Sequence, residues 1–101
     1  MSALTHTLPA DKSTTTLGNS STKLLDANPA RNFLLIENTH ASQDVWVNLV
    51  GGTAAANGVG CIFLKGGNVA ASRVVFDITV PSGQINALAT GSSTTVTVLE
   101  G

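Results

Sequence analysis

The chain from residue 30 onward is a series of short apolar segments separated by polar turns. The clearest of them runs from Arg73 to Val80, where nearly every second residue is apolar. Polar residues alternate with these, and Val75 is the one apolar residue on the polar side. A period of two with one apolar face predicts a half-buried β-strand. The apolar face consists of Val74, Phe76, Ile78 and Val80.

Five more segments predict strands because they are short, rich in β-branched residues and bounded by turn residues. The first of these is apolar on both faces, which predicts a strand buried on both sides. They are Asn32–Asn38, Val45–Val50, Cys61–Leu64, Gln84–Ala89 and Thr94–Leu99. No helical period exceeds one turn, and no connection is long enough for a parallel crossover. The pattern therefore predicts an all-β fold, an antiparallel β-sandwich or a jelly-roll-like barrel.

Residues 1–28 have a different character and predict an extended N-terminal arm attached to a β-sandwich domain at 29–101. The arm is rich in Ser and Thr and has isolated leucines that fit neither a helix nor one continuous strand. Its threonine run favours extended backbone, so we expect one or two short strands. These strands could pack on their own domain or reach onto a neighbouring protein. The candidate partner contacts in the arm are Leu4, Leu8, Thr14, Thr15, Thr16 and Leu17.

Charge is scarce in the second half of the chain. Only 11% of all residues are charged, and the net charge is -1. An ordinary domain carries about 25% charged residues. Two explanations remain open: a surface made polar by Ser, Thr and Asn, or a surface covered by partner proteins. The few Lys and Arg residues are scattered, which disfavours nucleic-acid binding. After Asp44 the charged residues are Lys65, Arg73, Asp77 and Glu100.

Two single residues have alternative interpretations. Trp46 points away from its neighbours Val45 and Val47, and we expect it in the core; exposed, it would instead be an interface anchor. Cys61 lies in an apolar run and is expected to be a small buried hydrophobic residue.

We find no residue pattern that indicates catalysis. His6 and His40 lack the spacing of local metal ligands, and His40 is expected in a solvated turn. No serine lies in a Gly-x-Ser-x-Gly elbow, and the Gly51–Gly60 segment fits no phosphate-binding motif. We therefore expect a protein that is not an enzyme and has no metal or cofactor.

The N-terminus lacks the basic start and apolar run of a signal peptide, and no segment is apolar enough to span a membrane. We expect synthesis in a cytoplasm and no membrane partner.

Several segments resemble small structural proteins of tailed bacteriophages. The resemblance covers residues 28 to 101 and begins with an N-P-x-R-x-x-L-L-I-x-N pattern at Asn28 to Asn38. It continues through Val45-Trp46-Val47-Asn48, Gly51 to Ala56, Val80 to Leu88 and Thr95 to Gly101.

This resemblance implies a virion component with a β-sandwich fold and no catalytic residues. The expected function is that of a capsid decoration (cement) protein, which binds and stabilises the assembled head. Its expected partners are the major capsid protein and further copies of itself, as a homodimer or homotrimer. It would be made in the host bacterial cytoplasm and lie on the capsid surface of the virion. The alternative is a small tail, neck or fibre-associated structural or receptor-binding protein.

Overall fold

The computed structural model describes residues 11–101, which form eight strands and one 3₁₀ turn at Ala70–Ser72. The strands are β1 (Asp11–Leu17), β2 (Thr22–Leu25), β3 (Leu34–Asn38), β4 (Val45–Asn48), β5 (Cys61–Leu64), β6 (Arg73–Phe76), β7 (Ile85–Ala89) and β8 (Thr94–Glu100).

The strands form two four-stranded sheets in which all neighbours are antiparallel. The first sheet has the order β1-β8-β3-β6, and the second has the order β2-β7-β4-β5. Only the β4–β5 connection stays within one sheet, and every other connection crosses to the opposite sheet. This is the strand order of an eight-stranded jelly roll. The predicted all-β antiparallel fold is confirmed.

The core lies between the two sheets and is built from alternate residues of each strand. The alternation follows from the period of two, which sends successive side chains to opposite faces. The first sheet contributes Leu34, Ile36, Val96 and Val98, and the second contributes Val45, Val47, Leu64, Ile85, Ala87 and Ala89.

Two strands differ from their sequence predictions. β6 ends at Phe76, because Phe76 pairs with Leu34 and β3 begins there, so later residues have no partner strand. Ile78, predicted on the buried face, is consequently 92% exposed. β3 is fully buried on one face only, since its alternate residues Leu35 and Glu37 are partly exposed on the outside.

Residues 11–28 of the predicted arm contribute one edge strand to each sheet. β1 pairs with β8, and β2 pairs with β7. Leu17 and Leu24 are buried in the common core, with Leu17 only 1% exposed. The division at residue 28 therefore does not separate these residues from the sandwich. Residues 1–10 of the predicted arm lie outside the described part of the chain.

A buried guanidinium closes one end of the sandwich. The Arg31 side chain is fully buried and donates from Nε to Glu100 Oε1 at 2.7 Å. Its other nitrogens donate to the backbone carbonyls of Asp26, Pro81 and Gly83. Asn28 also donates to Glu100 Oε1, at 3.2 Å. One charge pair thus joins the β2–β3 and β6–β7 connections to the end of β8.

Asn38 and Gly66 hold the opposite end. The buried Asn38 amide donates to the carbonyls of Gln43 and Leu64, at 2.7 and 3.1 Å, and so joins β3 to the strands of the second sheet. Gly66 donates its N–H to Asp44 Oδ1 at 2.9 Å and lies directly against the backbone of Gln43. In residues 15–101 every buried side-chain nitrogen and oxygen has a hydrogen-bond partner.

We expect Arg31→Met to lower the free energy of unfolding by about 3–5 kcal/mol, because it leaves the carboxylate of Glu100 without its charged partner and three carbonyls without their donor. The matched control is Arg73→Met, since Arg73 pairs with Glu37 on the surface, where its side chain is 46% exposed. That change should cost no more than about 1 kcal/mol. Urea unfolding of both variants measures the difference. Equal losses would show that Arg31 has no special structural role.

We also expect Gly66→Ala to destabilise the fold by about 1–3 kcal/mol, because the new Cβ would collide with backbone atoms of Ser42 and Gln43. Gly18→Ala is the control, since a Cβ there meets no atom within 4 Å. It should leave the stability unchanged or raise it slightly. Thermal unfolding distinguishes the two, and a tolerated alanine at position 66 would contradict the close approach.

Candidate functional site

The outer face of the second sheet carries a row of apolar side chains. The three adjacent strands β7, β4 and β5 contain no charged residue. Trp46 lies in the middle strand, opposite Phe63 on one side and Leu88 on the other. The rings of Trp46 and Phe63 are in contact, with centroids 4.9 Å apart and planes tilted by 55°.

These three residues form a row that we call the aromatic face. Phe63 is 42% exposed, and Trp46 and Leu88 are half-buried. Edge-to-face or tilted ring pairs stabilise each other beyond the area they bury, so the two rings support each other's orientation. An apolar row on three strands that contain no charged residue is typical of a protein-interaction surface.

The β4–β5 loop, residues 49–60, covers the other half of the same sheet face. Asn86 of β7 donates its side-chain amide to the carbonyl of Gly52 at 2.6 Å. Further along, the N–H of Ala54 donates to Ser21 Oγ at 2.9 Å, and Ala54 is buried. The loop therefore folds back across β7 toward the β1–β2 connection and leaves the aromatic face open.

Asn48 determines the shape of this loop. Its side chain is on the outer face of β4 and is nevertheless buried, because the loop wraps around it. Its Oδ1 accepts from the N–H groups of Val50 and Gly52, at 2.9 and 3.0 Å. Its Nδ2 donates to the carbonyls of Thr53 and Val59, at 3.3 and 3.1 Å. The side-chain amide of Asn48 thus gives hydrogen-bond partners to four backbone groups of the loop that have no partner strand.

The loop also exposes two apolar side chains at the end of the hairpin. Val59 is 95% exposed and Val50 is largely exposed. Gly60 adopts a positive φ of 76°, and a Cβ at this position would overlap the side chain of Val50.

The structure places Trp46 differently from its predicted core position. The neighbouring valines fill the core face of β4, and the alternation of the strand therefore turns Trp46 to the outside. Of the candidate arm contacts, Thr14, Thr15 and Thr16 lie in β1 and Leu17 is in the core. Leu4 and Leu8 lie outside the described residues. Trp46 and β1 belong to different sheets, so the structure does not join these candidates into one surface.

Cys61 and His40 have modest structural roles. Cys61 is half-buried on the outer face rather than fully buried, and its sulfur lies 3.6 Å from the amide nitrogen of Asn48. His40 accepts at Nδ1 from the N–H groups of Ser42 and Gln43, at 3.0 and 2.9 Å, which stabilises the predicted turn. His6 lies outside the described residues.

Within the described part of the chain, no group of three or more His, Cys, Asp or Glu residues could hold a metal ion. In the same range, no helix has the length and apolar character needed to cross a membrane.

Comparison of the chain with protein-family models, curated protein sequences and solved structures found no significant match. The function must therefore be argued from the residues and the fold.

Phe63 and Leu88 are the residues of the aromatic face that the sequence interpretation did not single out. Each lies in a predicted strand, and the strand period of two places Phe63 on the opposite face from Ile62 and Leu64. What the pattern lacks is the strand register, which places both residues beside Trp46.

We expect Asn48→Ala to release the loop while leaving the sheets intact, because four polar backbone groups lose their common partner. The free energy of unfolding should fall by about 1–3 kcal/mol. Hydrogen exchange at the amides of Val50 and Gly52 should accelerate, with little change at Val47 in the core. Val59→Ala is the control, because the Val59 side chain is 95% exposed in the same loop. Unchanged exchange at Val50 and Gly52 would contradict the role of Asn48.

Proposed function

We propose that the protein is a non-enzymatic structural component of a bacteriophage virion, and that it acts as a capsid decoration protein that stabilises the assembled head. The observation that carries this proposal is the aromatic face, in which Phe63 is exposed and Trp46 and Leu88 are half-buried, on three strands without charge. A partner that covers this face would remove apolar surface from water without burying an unpaired charge.

The chemistry of the face favours a protein partner. Trp is among the residues that contribute most binding energy at protein interfaces, and charged residues are depleted in the centres of such interfaces. The scarcity of charge after Asp44, which left two explanations open from sequence, coincides here with an exposed Phe63 and a half-buried Trp46 rather than with Ser and Thr alone.

The mechanism would be mass action on the shell. A protein that binds only the assembled capsid lowers the free energy of the assembled state. Many copies, each bridging neighbouring capsid subunits, add their contributions through multivalency. The partners in this proposal are the major capsid protein and further copies of this chain, and the location is the outer surface of the head.

The fold and the resemblance supply further support. Jelly rolls occur in viral capsid domains, although they also occur in lectins and cupins, so the fold alone does not select a function. The residues that resemble phage structural proteins include Arg31 and Trp46. One of these closes the sandwich, and the other forms the aromatic face.

The alternative is a small tail, neck or fibre-associated protein with a structural or receptor-binding role. Exposed aromatic rings are also used to bind sugars, and Trp46 and Phe63 form a ring pair that could serve this role. The location of the protein in the particle separates the two proposals.

The direct test is to count copies in purified particles of the phage that encodes the chain, using immunogold labelling and quantitative gel analysis. Decoration predicts hundreds of copies on the head. Six or twelve copies, or a tail location, would support the alternative. Absence from the particles would refute both.

The aromatic face is tested with Phe63→Ser, because Phe63 is exposed and its loss should not unfold the protein. Loss of an interface aromatic residue should weaken binding to capsids that lack the protein by about thirtyfold. Ile78→Ser is the matched control, since Ile78 is equally apolar, more exposed and distant in sequence from the face. Equal binding of both variants would exclude the aromatic face as the contact.

A deletion of residues 2–10 tests the remainder of the predicted arm without removing β1 or β2.

A further inference from the structure

The described residues leave four sheet edges, at β1 and β6 of the first sheet and at β2 and β5 of the second. An edge strand presents unpaired N–H and C=O groups that can pair with another chain. Proteins usually prevent this with short strands, charged residues, bulges or covering segments.

Three of the four edges carry such protection. β6 has four residues and begins with the exposed Arg73. β2 also has four residues, and its ladder is interrupted by a register shift between Lys23 and Leu25. β5 has four residues and is followed by the 3₁₀ turn. The N–H of Lys65, directly after β5, donates to the carbonyl of Ala71 in that turn at 3.0 Å.

The β1 edge differs from the others. β1 has seven residues and pairs with β8 without interruption, from Asp11 opposite Glu100 to Leu17 opposite Thr94. Its charges are confined to the first two residues, and Ser13 to Leu17 is uncharged. No strand among residues 11–101 pairs with its outer side.

We infer that the β1 edge binds a second copy of this chain, with the two β1 strands antiparallel about a two-fold axis. The first sheet of one copy would then join the first sheet of the other copy to form one continuous sheet across the dimer. This pairing would satisfy the free main-chain groups of both strands at once, as in β-strand addition.

The choice of a second β1 as the occupant follows from the edges themselves. The four-residue β6 edge of another copy would cover only part of β1, and the resulting head-to-tail contact would continue into a larger ring or an open filament. A β1–β1 contact uses the same edge on both copies and closes at two. The antiparallel arrangement also places the Asp11 and Lys12 residues of the two copies at opposite ends of the pair.

This inference rests on the self-association part of the proposed function, because it names the edge through which copies of this chain pair, and it does not depend on capsid binding. β1 belongs to the first sheet, and the aromatic face lies on the second, so the dimer would leave both aromatic faces free. Such a dimer would present two copies of that face to any larger partner, which would raise the avidity of binding.

The experiment measures self-association of the full chain without capsids, by analytical ultracentrifugation over a range of concentrations. We expect a dimer. Thr16→Lys should weaken the dimer about tenfold. Thr16 is exposed on β1. The symmetric pairing would bring the new positive charge toward Lys12 of the other copy, at both ends of the pair. Thr22→Lys at the β2 edge is the matched control and should leave the dimer unchanged.

Hydrogen exchange of the unmodified protein provides a second measurement that needs no variant. Amides of β1 that point away from β8 should become protected as concentration rises, and the amides at the β6 edge should not. The inference would be overturned if the protein is a monomer at all concentrations. It would also be overturned if Thr22→Lys or Phe63→Ser weakens the dimer and Thr16→Lys does not. Protection of β1 only on addition of capsids would identify a strand of another protein as the occupant and would also overturn it. Because no capsid is present in the first experiment, its failure leaves the capsid-binding proposal intact.

Discussion

The ion pair between Arg31 and Glu100 joins parts of the chain that the core alone does not hold together. A jelly roll crosses between its sheets at almost every connection, and each crossing exposes backbone groups at the end of the sandwich. The core side chains are mostly Val, Leu, Ile and Ala, which pack the sheets but offer nothing to these groups. Arg31 and Asn28 at one end, and Asn38 at the other, supply the missing donors. Their hydrogen bonds hold the β2–β3, β3–β4 and β6–β7 connections at the ends of the sandwich.

This arrangement leaves three strands of the second sheet without charge. Buried Arg31 pairs with the half-buried Glu100, and β7, β4 and β5 have no charged residue. Their outer face is divided between the loop held by Asn48 and the open Trp46–Phe63 pair. A surface of this kind is suited to permanent or repeated contact with another protein. The proposed role in a virion rests on this division of the face together with the motifs that resemble phage structural proteins.

Much of the architecture could be predicted from local patterns, because alternation and turn residues are local signals. Segments such as Val45–Val50 and Thr94–Leu99 became strands close to the predicted positions. The errors arose where a partner strand decides the outcome. β6 stops at Phe76 because β3 offers no further pairing, and Trp46 faces outward because two valines already fill the core side. The roles of Asn48 and Glu100 depend on residues distant along the chain, which a pattern in one segment does not contain.

The central claim is that residues 11–25 belong to the jelly roll through β1 and β2. Partner proteins would therefore bind the faces and edges of the sandwich, and residues 11–25 would not act as a detachable binding segment. Native-state hydrogen exchange of the monomeric protein tests this claim most directly. Amides of β1 and β2 that face β8 and β7 should exchange only through global unfolding, with opening free energies equal to those of β3 and β4. If those amides instead exchange with opening free energies near zero while the other strands stay protected, the segment is detachable, and the account is contradicted.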